Sequence, residues 1–395
     1  MSGPRRTGAP NPGDGKDVRA VCVRCGTARP YAVAEPRCAC GGLLDPEYDL
    51  AAAGVRQDAE TPSERYFDLL PLRRPESALH IGDGNTPCVH ARVLGARLGL
   101  DHLYLKDETL NATRTTKDRM AACVLAVFQE QGVFEFVASS TGNSSTSFAW
   151  GLRHIDGMKA HLFAGRDFLD RHQYTDHPGV ELHVIDDDFV AAAAAGRAFA
   201  VEHGLLFEGG FFNSARREGL KLAYLEAYDE MPLPPAVVFQ AVSSGMGVYG
   251  AHKGAREYLA MGRLPALPRF VCVQQDSCAP MWHAARDGSD RIRPQHILRH
   301  PRGLAKAILR GDPTNTYPYM RAITDDTGGR FAAVSDDEMI RARRWLAEDE
   351  GIEVCFAAAA ALAGAAQLAD RGEIGRDEPV LVNLTGGERD GQADD

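Results

Sequence analysis

From about Gly82 onward the chain alternates short β-branched runs with longer stretches of helical periodicity, and this alternation constrains the fold more than any other feature. "LYLKDE" (Leu103 to Glu108), "FEFVASS" (Phe134 to Ser140), "KAHLFAG", "VELHVID", "AVVFQAV", "RFVCVQQ" and "PVLVNLTG" read as short buried strands. Stretches near residues 118–131, 145–154, 189–203, 214–230, 248–261, 336–349 and 355–371 read as helices. Strands that alternate with helices predict an α/β fold: open twisted sheets of mainly parallel strands, covered by helices on both faces. A chain of 395 residues exceeds one ordinary core, so two domains, or one core with appendages, are expected. The Arg-, Pro- and Gly-rich segment from Asp276 to Gly328 is weakly periodic and reads as loops and short helices suited to a lid.

The net charge of −10 repels phosphate backbones and anionic lipid, and no basic patch is localised, so neither nucleic acid nor membrane is an expected partner. "CFAAAAALAGAAQLA" (Cys355 to Ala369) is too short and Ala-rich to cross a bilayer and reads as a buried helix. The opening "MSGPRRTGAPNPGDGKD", residues 1–17, has the composition of a disordered tail and lacks the apolar run of a secretory signal, which gives a cytoplasmic expectation. Cys88, Cys123, Cys272, Cys278 and Cys355 are scattered, as suits reduced core thiols. The other four stand at Cys22-x2-Cys25 and Cys38-x-Cys40, with twelve residues between the pairs. Two such knuckles can supply four thiolates to one tetrahedral zinc, so 18–50 reads as a zinc-ribbon-like segment with a structural site; four unliganded cysteines in a small lobe are the alternative.

Ligands of open parallel sheets bind beyond the carboxyl ends of strands, and three such ends carry polar loops. After "FEFVASS", the turn Ser139-Ser140-Thr141-Gly142-Asn143-Ser144 offers hydroxyls and free N–H groups to an anion such as a substrate carboxylate; a polar turn with Ser145 or Thr146 as N-cap is the plainer reading. After "AVVFQAV", Gly245-Met246-Gly247-Val248-Tyr249-Gly250 satisfies G-x-G-x-x-G, a dinucleotide fingerprint that would make the chain an NAD-binding oxidoreductase. Ser243 and Ser244 before it suit a single phosphate equally well. After "VLVNL", Thr385 is set to present a hydroxyl. Lys117 opens a helix, where the macrodipole disfavours positive charge and lowers its pKa; a neutral amine there suits Schiff-base chemistry, and an exposed first-turn lysine balanced by Asp118 is the alternative.

In order and spacing, "CACGGLLDPEYDL", "GDGNTPC", "LYLKDETLNATRTTKDR", "SSTGNSS", "SSGMG", "EGIEVCFAAAAALAG" and "LTGG" resemble the threonine synthase family of fold type II pyridoxal-phosphate enzymes. The resemblance implies a tryptophan-synthase-β-like architecture. It assigns residues 80–110 and 205–395 to a large cofactor-binding domain and 111–204 to a small domain with the substrate turn. It also implies that Lys117 carries pyridoxal 5'-phosphate as a Schiff base and that Asn143 bonds the 3-hydroxyl. Ser243, Ser244, Gly245, Met246 and Gly247 would hold the cofactor phosphate, and Thr385 would face the pyridine nitrogen. Ser139, Ser140, Thr141, Gly142 and Ser144, with Thr116, would receive an amino-acid substrate, in a homodimer. Two departures stand out: Ala112-Thr113-Arg114-Thr115-Thr116-Lys117 replaces the family's P-T-G-S-F-K, and Thr385-Gly386-Gly387-Glu388 replaces T-G-H-G. "LLFEGGFFNSARREG" and "VLVNLTGGERD" are more similar to cysteate synthase, which implies β-replacement on O-phospho-L-serine by sulfite, with threonine synthase activity as the alternative. Arg114, then Arg216 or Arg217, are the candidate binders of the leaving anion.

Overall fold

The computed structural model describes residues 15–187 and 189–389. The expected tail at 1–17 lies outside the described residues except for its last three, and these are held. Lys16 donates its backbone N–H to Arg73 and its ammonium to the carbonyls of Phe67 (2.8 Å) and Leu70 (2.7 Å).

The N-terminal segment is an antiparallel sheet ordered β2-β1-β3, built from β1 (Arg19–Cys22), β2 (Ala28–Pro30) and β3 (Leu44–Glu47). Helix α1 (Pro62–Arg65) comes next, its start closed by reciprocal bonds between Thr61 and Glu64. The chain then forms β4 (Cys88–His90), α2 (Arg92–Leu98) and β5 (Leu103–Asp107). From β5 it leaves for a second unit: α3 (Lys117–Glu130), β6 (Glu135–Ser139), α4 (Asn143–Gly151), β7 (Lys159–Gly165), β8 (Val180–Ile185), α5 (Phe189–His203) and β9 (Leu206–Phe207). These strands pair in parallel in the order β8-β7-β6-β9. Because β9 pairs with β6, this sheet continues to Phe207.

Helix α6 (Ser214–Glu230) leads back to β10 (Val237–Ala241), α7 (Met246–Ala260), β11 (Arg269–Gln275), α8 (Pro280–Arg286), α9 (Tyr317–Thr327), β12 (Arg330–Val334), α10 (Asp336–Glu350), α11 (Phe356–Asp370) and β13 (Val380–Leu384). The second sheet runs β12-β11-β10-β13-β5-β4, parallel except for β4. Every residue of β5, β10 and β13 is buried, as strands covered on both faces must be. Their side chains alternate between two cores: Val238 and Leu381 pack with α3, α6 and α7, while Val237, Phe239, Val380 and Val382 pack with α10 and α11. Each such side chain contributes roughly 1.5–3 kcal/mol through burial. The alanines of α11 let that helix lie close against the sheet, buried along nearly its whole length.

The segment 276–328 contains α8, α9 and short 3-10 turns, and α9 carries Met320 over the loop that precedes α7. All nine cysteines are free thiols. Among the described residues, no helix is long and apolar enough to cross a membrane.

Candidate active site

Strands β10, β13 and β5 are neighbours and parallel, so their carboxyl ends lie side by side. Beyond those ends lie, in turn, the Ser243–Gly247 loop, Thr385 and the loop that ends at Lys117. The last two are sewn together: Thr116 donates its N–H to the carbonyl of Thr385 at 3.0 Å, Gly387 donates to the carbonyl of Arg114 at 2.9 Å, and Thr115 bridges Gly386. Cys355, at the start of α11, donates to Gly386 at 3.1 Å and closes the third side.

Lys117 is the first residue of α3, as the sequence suggested, and is half-buried. Burial, with the Arg216 guanidinium nearby, lowers its ammonium to about 8. Among the described residues it forms no ion pair with a carboxylate. Asp118, expected to balance it, faces the other way: its carboxylate accepts from the N–H and hydroxyl of Thr113, each at 2.6 Å, and burial raises it to about 6. Arg119 is fully buried and anchors the start of the helix. It bonds Glu108 (2.7 Å), Glu226 (2.6 Å) and the hydroxyl of Thr86 (2.9 Å), while Lys106 pairs with Glu226 at 2.9 Å. Two cations against two carboxylates leave the buried group neutral, and its hydrogen bonds fix the backbone that presents Lys117.

The turn after β6 opens α4 at Asn143, with Gly142 before it at φ 123°, so neither Ser145 nor Thr146 is the N-cap. Thr146 is the first residue to bond back, to Gly142 at 2.9 Å; the N–H groups of Asn143, Ser144 and Ser145 have no partner within the helix. Ser140 is buried and accepts from the N–H of Gly142 at 3.1 Å, and Ser144 accepts from Arg216 Nη1 at 3.0 Å. Arg216 is clamped on Glu208 through two nitrogens. Arg217 is committed elsewhere, paired with Asp45 and packed on Tyr249 and Phe211, so of the two arginines only Arg216 reaches this turn. Arg114 is exposed, in the left-handed region at φ 58°, with its guanidinium against Gly387.

The residue that sequence reasoning overlooked is Arg389. It is 6% exposed and donates Nη2 to the amide oxygen of Asn143, while Nε and Nη1 are buried and have no partner among the described residues. Burial and the nearby Arg171 lower it to about 10. His172 lies close by. Its Nδ1 contacts Ser145 Oγ at 2.7 Å, its Nε2 is a second buried orphan, and burial next to Arg171 pushes the ring down to about 4, so it is neutral at pH 7. An arginine four positions beyond Thr385 was visible in "LTGGERD", but nothing in the sequence said that the chain turns back across the turn after β6.

Ser244 is buried and Ser243 half-buried ahead of α7, which starts at Met246. Two glycines here allow close packing, and at Gly245 the left-handed backbone favours glycine as well. A Cβ on Gly245 (φ 86°) would meet Met320 Sδ at 2.1 Å, and one on Gly247 would meet the Gln240 amide at 2.1 Å. Gly250, the third glycine of the dinucleotide pattern, has a different cause: its Cβ would lie 2.4 Å from the carbonyl of Arg217, so it sets the close crossing of α7 over α6.

Away from this cleft, the four expected cysteines gather. Cys22 and Cys40 sulfurs are 3.4 Å apart, those of Cys25 and Cys38 3.7 Å, and all four lie within 4.8 Å of one another. Gly42 makes room, since its Cβ would stand 2.6 Å from Cys22 Sγ.

Comparison with known proteins agrees with this arrangement. The profile of the family described as "Pyridoxal-phosphate dependent enzyme" matches residues 79–386. A threonine synthase of Methanosarcina acetivorans is 30% identical, over 92% of this chain and 90% of that protein. A cysteate synthase of Methanocella paludicola is 29% identical, over 89% and 85%. Maize serine racemase shares the fold with a TM-score of 0.66 at 19% identity, covering 80% of this chain and 91% of its own. The cleft fits the cofactor: an amine of lowered pKa that forms no ion pair among the described residues, and a serine-glycine loop at a helix N-terminus suited to one phosphate. By sequence and by fold, the chain belongs to the pyridoxal-phosphate dependent enzyme family, with the fold type II architecture.

Proposed function

We propose that the protein replaces the phosphate of an O-phosphorylated amino acid, foremost O-phospho-L-serine, with a small nucleophile such as sulfite. The observation that carries the anionic substrate is Arg389. A buried guanidinium with two nitrogens unpartnered among the described residues is costly unless an anion completes its bonding. A substrate phosphate, or an incoming sulfite, supplies that anion. Arg216 is already neutralised by Glu208 and Arg114 stands at the exposed mouth, so of these three arginines Arg389 is the buried one without a carboxylate partner among the described residues.

In this reading Ser243 to Gly247 and the first turn of α7 hold the cofactor phosphate. The amide of Asn143 would bond the cofactor's 3-hydroxyl, and the hydroxyl of Thr385 would meet its ring nitrogen. Bound there, pyridoxal phosphate supplies an electron sink for the pair left at the substrate α-carbon when its proton departs. Thr385 is uncharged and does not hold the ring nitrogen protonated, which suits a reaction drawn forward by a good leaving group on the β-carbon. Lys117 Nζ takes the α-proton; with its pKa at about 8, the neutral amine is accessible near pH 7. The Ser139–Ser144 turn and the free N–H groups of α4 bind the substrate carboxylate and fix the α-carbon beside that amine. The phosphate leaves with the bonding pair, toward the arginines.

We also assign a structural zinc to Cys22, Cys25, Cys38 and Cys40. Sulfurs on a tetrahedral zinc with bonds of about 2.3 Å stand roughly 3.8 Å apart, close to the separations of 3.4 and 3.7 Å here.

Threonine synthase activity is the second reading, favoured by the relative of that name at 30% identity over 92% of the chain. Phosphate release with the purified holoenzyme separates the two. Turnover of O-phosphoserine only when sulfite or a thiol is present supports β-replacement; turnover of O-phosphohomoserine with water alone, and none of O-phosphoserine, overturns it.

A further inference from the structure

The far end of the four-stranded sheet carries a side-chain cluster that the proposed reaction does not use. His161 on β7 is in register with Glu181 on β8, and Phe163 with His183. The three polar residues therefore share one face within the β7–β8 pair at the edge of the sheet, whereas the substrate turn lies past the carboxyl end of β6. His161 Nδ1 lies 3.2 Å from His183 Nε2 and 3.3 Å from Glu181 Oε2, and His183 Nε2 lies 3.5 Å from Glu181 Oε1. Nitrogen and oxygen ligands on a tetrahedral zinc, with bonds of about 2.0–2.1 Å, stand roughly 3.3–3.4 Å apart. Each pair thus stands at a spacing suited to such a tetrahedron, with Glu181 reaching the two imidazoles through different oxygens and all three ligand groups within 4.8 Å of one another.

Two independent features point the same way. His161 Nε2 contacts Glu135 Oε1 at 2.8 Å, which draws the ring proton to Nε2 and leaves the Nδ1 lone pair facing His183 and Glu181. A carboxylate behind a histidine in this manner is the common support of a metal ligand. The imidazoles are also held in orientation: His183 stacks on Phe163 at 4.4 Å, and Phe199 packs against His161 at 4.8 Å and His183 at 5.1 Å. The charged neighbours are Glu135, Glu181 and Lys159, whose ammonium reaches Glu135 at 3.5 Å and Glu181 at 3.3 Å. Two carboxylates against one ammonium leave a net negative charge, and Lys159, 43% exposed, is free to swing into water.

We propose that His161, His183 and Glu181 bind one divalent cation of the zinc class, leaving the fourth position to water, and that the ion staples the edge strand β8 to β7. The proposal is independent of the reaction assigned above.

The test uses the full chain equilibrated with zinc alone, freed of excess metal, and analysed for zinc per protein. Because the four cysteines form another candidate site, wild type is compared with His183→Ala, with Glu181→Gln and with the Cys25→Ser, Cys38→Ser double variant. The expected result is that His183→Ala carries one equivalent fewer than wild type while the cysteine variant keeps that equivalent. Glu181→Gln, altered at a half-exposed side chain that the fold does not need, weakens the same site by about tenfold or more in competition with a chromophoric chelator. Zinc also raises the unfolding temperature of wild type more than that of His183→Ala. Equal zinc content and equal chelator competition in wild type, His183→Ala and Glu181→Gln overturn the proposal.

Discussion

The guanidinium of Arg389 donates to the amide oxygen of Asn143 and so joins the loop after β13 to the first residue of α4. With that oxygen engaged, the NH2 of Asn143 is the group left for a ligand, and the orphaned Nε and Nη1 of Arg389 await an anion. Arg389→Gln removes a charge-assisted contact worth about 1.5–3 kcal/mol, so KM for the phosphorylated substrate should rise by roughly 10- to 100-fold. Arg389→Lys keeps the charge without the fork and should recover only part of the loss. Phosphate-release kinetics at several substrate concentrations measure both.

Arg119 is the keystone under Lys117. Arg119→Met leaves Glu108 and Glu226 buried with only Lys106 between them. Removing one partner of a buried ion network costs about 3–5 kcal/mol. The urea midpoint of this variant should fall accordingly, and its cofactor occupancy should fall with it.

Gly247→Ala tests the serine-glycine loop. The added Cβ meets the end of the Gln240 side chain, which extends from β10 and is buried, so that side chain or the loop must shift. The fold should persist by circular dichroism while the affinity for pyridoxal phosphate drops at least about tenfold, the equivalent of 1.4 kcal/mol. Unchanged affinity would place the phosphate elsewhere.

The lowered pKa of Lys117 predicts a pH profile for cofactor capture by the apoenzyme. Only the neutral amine attacks an aldehyde, and burial with Arg216 brings its pKa from 10.5 to about 8. The rate should therefore climb about tenfold per pH unit below that point and level off above it. A rate still climbing at that slope past pH 9, roughly one unit above the lowered value, would mean that the amine is not perturbed.

How much of this was legible in the sequence depended on whether an element has a local cause. Helices α3, α6, α7, α10 and α11, and strands β5, β7, β10, β11 and β13, fell within a few residues of their expected limits, because buried parallel strands read as continuous apolar runs. The edge strands β4 and β12 did not announce themselves; three residues of "CVH" and the alanine-bearing "RFAAV" become strands only because a neighbour pairs with them. Helix α9 was hidden in a stretch that looked irregular, although its Met320 covers Gly245. In the site, Lys117, Thr385 and the serine-glycine loop could be named from the ends of strands. Arg389 could not, since its meeting with Asn143 is a product of the tertiary path alone.

The account rests on one amine, and its most direct test is chemical. The holoenzyme is reduced with borohydride, digested, and searched by mass spectrometry for the reduced cofactor adduct, alongside Lys117→Ala. A single modified peptide carrying the adduct on Lys117 is expected, and none in the variant. An adduct on another lysine such as Lys106, or none on the wild type, would contradict it.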